Sequence, residues 1–120
     1  MLNTKDLNAA YGVIPVLHDV NLDIREGELV ALLGANGAGK TTLLNNISGV
    51  LPVKSGAISF MGREIQHLSS DRIVHLGISQ IPEGRKIFPY LTVKENLLMG
   101  ASTKKTWKRR KEMMEKVCGL

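Results

Sequence analysis

Gly34-Ala35-Asn36-Gly37-Ala38-Gly39-Lys40-Thr41 matches G-x-x-x-x-G-K-[ST] at every fixed position. This spacing suits a triphosphate. Backbone N–H groups surround such a ligand only if the chain curls tightly, and side chains block the approach. Glycine removes the block and permits the positive φ angles of the curl. A helix opening near Lys40 turns its unpaired N–H groups and positive dipole end toward the β-phosphate. The Lys40 ammonium then bridges the β- and γ-phosphates, and the Thr41 hydroxyl ligates Mg²⁺. The alternative is a glycine-rich turn with a solvated lysine. Context weighs against it, because the loop follows an apolar run and opens a helix.

The elements that must hold this loop read as follows. Leu2 to Asn8 forms a strand, Tyr11 to Pro15 a turn, and Asn21 to Arg25 a second strand with Leu22 and Ile24 on one face. Leu29-Val30-Ala31-Leu32-Leu33 has the continuous apolar character of a strand buried on both faces. A helix is expected from Thr41 to Ser48, closed by Gly49. Ser55-Gly56 turns into a strand at Ala57–Met61, which Gly62 ends. Ser69 caps a helix reaching about Leu76, with Asp71 in its first turn. Gly77 to Ile81 reads as a further strand. Thr92-Val93-Lys94-Glu95 has the form of a capping box and opens a helix through Leu98 or Met99. Lys104 to Val117 reads as one helix.

Composition narrows the class. The chain has 120 residues, 43% hydrophobic and only 4% aromatic, so one small domain with an aliphatic core is expected. Cys118 is the one cysteine, which excludes an internal disulfide and fits a reducing compartment. No apolar run approaches a membrane span, and Met1 to Asp6 lacks the apolar stretch of a secretion signal. A cytoplasmic location is expected, with any membrane association made through a partner. His18, His67 and His75 each stand alone, without a neighbour at zinc spacing.

The net charge of +5 is uneven. Residues 1–103 hold nine Lys/Arg and nine Asp/Glu, and the last seventeen hold seven and two, so the tail carries all of it. A chain-wide nucleic-acid reading therefore fails, and the tail has no aromatic beyond Trp107 to interleave with bases. No nucleic-acid partner is expected.

The residues around the loop also carry a resemblance. Tyr11-Gly12, Leu17 to Ile24, Gly27-Glu28, Leu33 through Leu44, Gly49, Ser55-Gly56 and Gly62 resemble the ATPase subunits of ATP-binding-cassette transporters. Ile81-Pro82-Glu83-Gly84-Arg85-Lys86-Ile87-Phe88-Pro89, with Leu91 through Gly100, is similar to the second ATPase of branched-chain amino acid importers. The resemblance spans about residues 2–103.

It implies an α/β fold: a truncated P-loop ATPase with an antiparallel β portion, a partial P-loop core and the start of a helical subdomain. Residues 1–120 would be one incomplete ATP-binding domain, about 1–88 its nucleotide-binding part and about 89–120 the opening of the helical subdomain. It implies ATP and Mg²⁺ as cofactors, with ATP held by Tyr11, Gly34, Ala35, Asn36, Gly37, Ala38, Gly39, Lys40, Thr41 and Thr42. Tyr11 matches the aromatic that stacks on adenine; a surface turn tyrosine is the plain alternative. Lys40 would serve catalysis and Thr41 the Mg²⁺. Most members have a glutamine a few residues before the aromatic–proline step, and counting back from Phe88-Pro89 places Glu83 there. The branched-chain subgroup carries glutamate at this point. Glu83 would reach the Mg²⁺ through water, and Gln80 is the competing candidate.

The implied partners are a second ATPase subunit in a nucleotide sandwich, transmembrane permease subunits, and indirectly a periplasmic or extracellular solute-binding protein. The location would be peripheral, on the cytoplasmic face of the membrane. The implied work is ATP hydrolysis driving branched-chain amino acid uptake. Alternatives are the same engine for urea or short amides, and a non-catalytic nucleotide-binding fragment. No apolar strand here ends in Asp-Glu, and no Leu-Ser-Gly-Gly-Gln segment occurs. The chain is thus expected to be a fragment, inactive alone, with Leu29–Leu33 deprived of neighbouring strands.

Overall fold

The computed structural model describes residues 1–35, 37–84 and 86–119. Its contacts divide it into two units, Met1–Gln80 and Ile81–Leu120.

The first unit begins with β1 (Leu2–Tyr11) and β2 (Ile14–Ile24), joined by a two-residue turn. They pair antiparallel, from Leu2 opposite Ile24 to Tyr11 opposite Ile14. Both strands break the strict alternation of a pleated ribbon. Thr4 and Leu7 are both buried although three residues apart, because Asp6 takes a positive φ of 48° between them. Leu17 and Val20 likewise both face inward across Asp19, at φ 44°. The two bulges sit against each other and exchange the same bonds. Asp6 N–H donates to Asn21 Oδ1 at 3.0 Å, and Asp19 N–H donates to Asn8 Oδ1 at 3.2 Å. Asn8 Nδ2 and Asn21 Nδ2 return bonds to Asp19 Oδ1 and Asp6 Oδ1, at 3.0 and 3.4 Å. Asp-x-Asn on each strand thus satisfies the groups that a bulge leaves unpaired.

Helix α1 (Lys40–Ile47) follows, then β3 (Ser55–Phe60) and β4 (Arg63–Glu64). The sheet order is β2-β1-β3-β4, antiparallel throughout. The strand expected from Ala57 starts earlier, and Ser55-Gly56 belongs to it. Gly56 passes so close to the Asp6 bulge that a Cβ would lie 2.3 Å from the Asp6 carbonyl oxygen, so only glycine fits. Helix α2 (Ser70–Leu76) closes the unit. Ser69 is its N-cap residue, but its side chain caps no backbone N–H. Its hydroxyl bonds the Asp71 carboxylate instead, and this is the leading cause that holds Asp71 below the usual carboxylate range. The core joins Leu7, Ala9, Leu17 and Ile58 of the sheet to Leu43 and Ile47 of α1, with Ile65 and Ile73 beyond.

Two expected strands do not form. Leu29–Leu33 and Gly77–Ile81 pair with no strand among the described residues. Leu29 is 98% exposed and Leu33 92%. A strand exists only through its ladder partners, and the four strands present are paired among themselves. The apolar run is therefore uncovered.

The second unit is helical: α3 (Val93–Met99), α4 (Lys104–Lys108) and α5 (Arg110–Val117). The capping box of α3 is present in both directions, Glu95 N–H to Thr92 Oγ1 and Thr92 N–H to Glu95 Oε2, each 3.1 Å. The tail is two helices rather than one. Arg109, at φ −98° and ψ 8°, ends α4 and starts α5. Its guanidinium grips Glu112, whose acid favours a helix N-terminus, through bonds of 3.0 and 3.2 Å. That pairing raises the Arg109 pKa and lowers that of Glu112. No helix among the described residues is long and apolar enough to cross a membrane.

Candidate functional site

Helix α1 begins in an unusual way. Its N-cap is Gly39, at φ 98° and ψ 8°; no side chain caps the first turn, and no acid lies in it. Ser, Thr, Asp or Asn would give the first turn a side-chain acceptor that glycine lacks. Here the N–H groups and the positive end of the dipole stay uncommitted, as anion binding requires. A Cβ on Gly39 would lie 2.7 Å from Leu17 Cδ2, so buried Leu17 of β2 presses the loop's last turn into place. Gly37 also has positive φ, 87°, and Ala38 N–H closes a turn onto the Ala35 carbonyl at 3.1 Å. Lys40 reaches back to donate from Nζ to the Gly34 carbonyl, which sets its ammonium across the loop. Thr41 is exposed beside it, its hydroxyl open to a ligand. Asn36 lies outside the described residues.

Tyr11 comes to the same place from the end of β1. Buried Thr42 donates from Oγ1 to the Tyr11 hydroxyl at 3.3 Å, while the ring stays 48% exposed. The structure therefore brings together Tyr11, Gly34, Ala35, Gly37, Ala38, Gly39, Lys40, Thr41 and Thr42, within one unit.

Gln80 and Glu83 part company. Gln80 is not on a strand, contrary to expectation, yet its carboxamide is held on both atoms. Ser48 Oγ donates to Gln80 Oε1 at 2.6 Å, and Gln80 Nε2 donates to Asn45 Oδ1 at 3.1 Å. These partners lie five to eight residues along α1 from Lys40, which at about 1.5 Å per residue is roughly 8–12 Å from the phosphate end. Gln80 is committed to the rear of the helix. Glu83 lies in the second unit, with an exposed side chain. Sequence reasoning missed Asn45 and Ser48. A trace was legible: polar Asn45, Asn46 and Ser48 crowd the last turn of α1, next to apolar Leu43, Leu44 and Ile47.

Comparison with known proteins accords with this geometry. The family model described as "ABC transporter" matches residues 17–119. A high-affinity branched-chain amino acid transport ATP-binding protein, BraG of Pseudomonas aeruginosa, is 46% identical over 83% of this chain and 43% of its own length. A probable branched-chain amino acid transport ATP-binding protein, LivF of Archaeoglobus fulgidus, is 42% identical over 86% of this chain and 44% of its own. The chain thus spans less than half the length of these relatives. Among solved structures, a dimeric ATP-binding cassette in a post-hydrolysis state with ADP and Pi superposes with a TM-score of 0.72 at 26% identity, covering 93% of this chain and 55% of that one.

Proposed function

The chain belongs to the ABC transporter family, and from that premise we propose that it supplies the nucleotide-binding part of an importer ATPase serving branched-chain amino acids. Residues 1–88 form the nucleotide-binding part in this reading, and 89–120 open a helical subdomain. The carrying observation is the uncapped start of α1 beneath a glycine curl, with Lys40 across the loop and Tyr11 beside Thr42.

The phosphates of ATP would occupy the curl, on the N–H groups of Gly37 and of Gly39 to Thr42. Lys40 would leave the Gly34 carbonyl for the β- and γ-oxygens, and the Thr41 hydroxyl would hold Mg²⁺, whose charge would stabilise the γ-phosphoryl group. The Tyr11 ring stacks on adenine, while its hydroxyl stays tied to Thr42. By the resemblance, Glu83 would supply the carboxylate that serves Mg²⁺ through water, and Gln80 is the weaker candidate because both of its polar atoms are bound to α1. In this reading the protein to which these residues belong pairs with a second ATPase subunit, works with permease subunits and lies peripherally on the cytoplasmic face of the membrane; the relatives' names as transport ATP-binding proteins and the dimeric cassette are in keeping with it.

Deleting the gene should lower leucine uptake severalfold and leave urea and short-amide uptake unchanged, measured with labelled solutes. The reverse pattern would assign the engine to the other solutes. Tyr11→Ala should weaken ATP by about tenfold, the worth of one base stacked on an aromatic. Inorganic triphosphate has no base and should lose little. Equal losses for both ligands, by calorimetric titration, would place Tyr11 in folding rather than stacking.

A further inference from the structure

The phosphate site leaves the basic tail unused. Six of the eight residues from Lys104 to Lys111 are basic: Lys104, Lys105, Lys108, Arg109, Arg110 and Lys111. Among the described residues the only ion pair is Arg109 with Glu112, so the other five carry uncompensated charge. Lys104, Lys105, Lys108 and Lys111 are exposed. Trp107 lies in their midst, 48% exposed, with Met113 and Val117 also exposed on α5. Thr103 fixes the start of this segment by a capping box with Thr106, so the charges are displayed on a folded element.

We propose that residues 104–117 dock on an anionic lipid surface, the lysines among the headgroups and Trp107 at the boundary with the acyl chains. Basic clusters of this size on short amphipathic helices gain affinity from each charge near a negative surface, and an indole suits the interface because it is both apolar and polar. Nucleic acid also attracts such charge, but Trp107 is ill placed to stack on bases. The Arg110 guanidinium lies 4.3 Å from the ring centroid, and its Nη1 donates to the Trp107 carbonyl at 2.8 Å, so one ring face is covered. No other aromatic lies in the segment.

Trp107 is the chain's single tryptophan, so its emission reports the contact directly. The 120-residue chain is titrated with phosphatidylcholine vesicles, with and without about one-third phosphatidylglycerol. Blue-shifted emission and co-sedimentation are expected with the anionic vesicles only, and both should reverse in high salt. Replacing Lys104, Lys105, Lys108 and Lys111 together by Gln should lower partitioning by about a hundredfold or more. These side chains are exposed, and unchanged circular dichroism checks that folding is kept. Equal binding to neutral vesicles, or undiminished binding by the four-lysine variant, would overturn the proposal and point to the uncovered Leu29–Leu33 run. Tight, salt-sensitive binding of single-stranded or duplex DNA without vesicle partitioning would overturn it in favour of nucleic acid.

Discussion

Lys40→Ala is expected to weaken Mg²⁺–ATP binding by about a hundredfold or more. A hydrogen bond to a charged group contributes about 1.5–3 kcal/mol, and the Lys40 ammonium makes at least two when it bridges neighbouring phosphates. The free protein offsets part of this gain, because Nζ gives up the Gly34 carbonyl when ATP arrives. The remainder, roughly 3 kcal/mol, is about two orders of magnitude in affinity. The variant should fold normally, since Lys40 is outside the core cluster and alanine is a good helix residue at the start of α1. Isothermal titration against wild type, both checked by circular dichroism, measures the ratio. Equal affinities would remove the phosphate loop from the functional argument.

The second large effect concerns turnover. Purified residues 1–120 are expected to release no phosphate from Mg²⁺–ATP above background, even when ATP binds. Hydrolysis needs an oriented water and stabilisation of the charge that spreads over the γ-phosphoryl oxygens. In the proposed reading Lys40, Thr41 and Glu83 would supply some of this. Within these residues there is no Asp-Glu at the end of an apolar strand and no Leu-Ser-Gly-Gly-Gln segment. Loss of a single preorganised group of this kind costs about two to three orders of magnitude in rate. Sustained phosphate release that vanishes in Lys40→Ala would show that these residues complete a catalytic site by themselves.

The parts legible in the sequence were those whose causes are local. The phosphate loop is determined within Gly34–Thr41, and the structure builds its glycine curl and helix start there. The α3 capping box is determined within Thr92–Glu95 and forms as expected. What was missed depends on distant partners. Leu29–Leu33 has the composition of a buried strand, but composition does not provide a ladder, and the run stands uncovered. Gln80 reads as part of a strand in the sequence, whereas its carboxamide is bound by Ser48 and Asn45, 32 and 35 positions earlier. In the sequence β2 is visible only from Asn21, because its inward positions change parity at Asp19, which hides the alternation between Ile14 and Ile24. The break itself could have been recognised, since Asp6-Leu7-Asn8 and Asp19-Val20-Asn21 repeat one pattern on two adjoining strands.

That repeated pattern also bears on the timing of folding. The β1–β2 ribbon closes between Leu2 and Ile24, so the ribosome delivers all of it before the phosphate loop. A hairpin forms in about 1–10 μs, whereas a residue is added only every ~50–200 ms, so the pairing is sampled on the order of ten thousand times per added residue. A slipped pairing would strand both aspartate N–H groups without their asparagine acceptors, so misaligned attempts dissolve and the keyed one persists. The nascent chain thus checks its alignment at two points before Lys40 emerges from the ribosome. The Asp6 bulge then stands ready as the template that Gly56, arriving later, is shaped to pass.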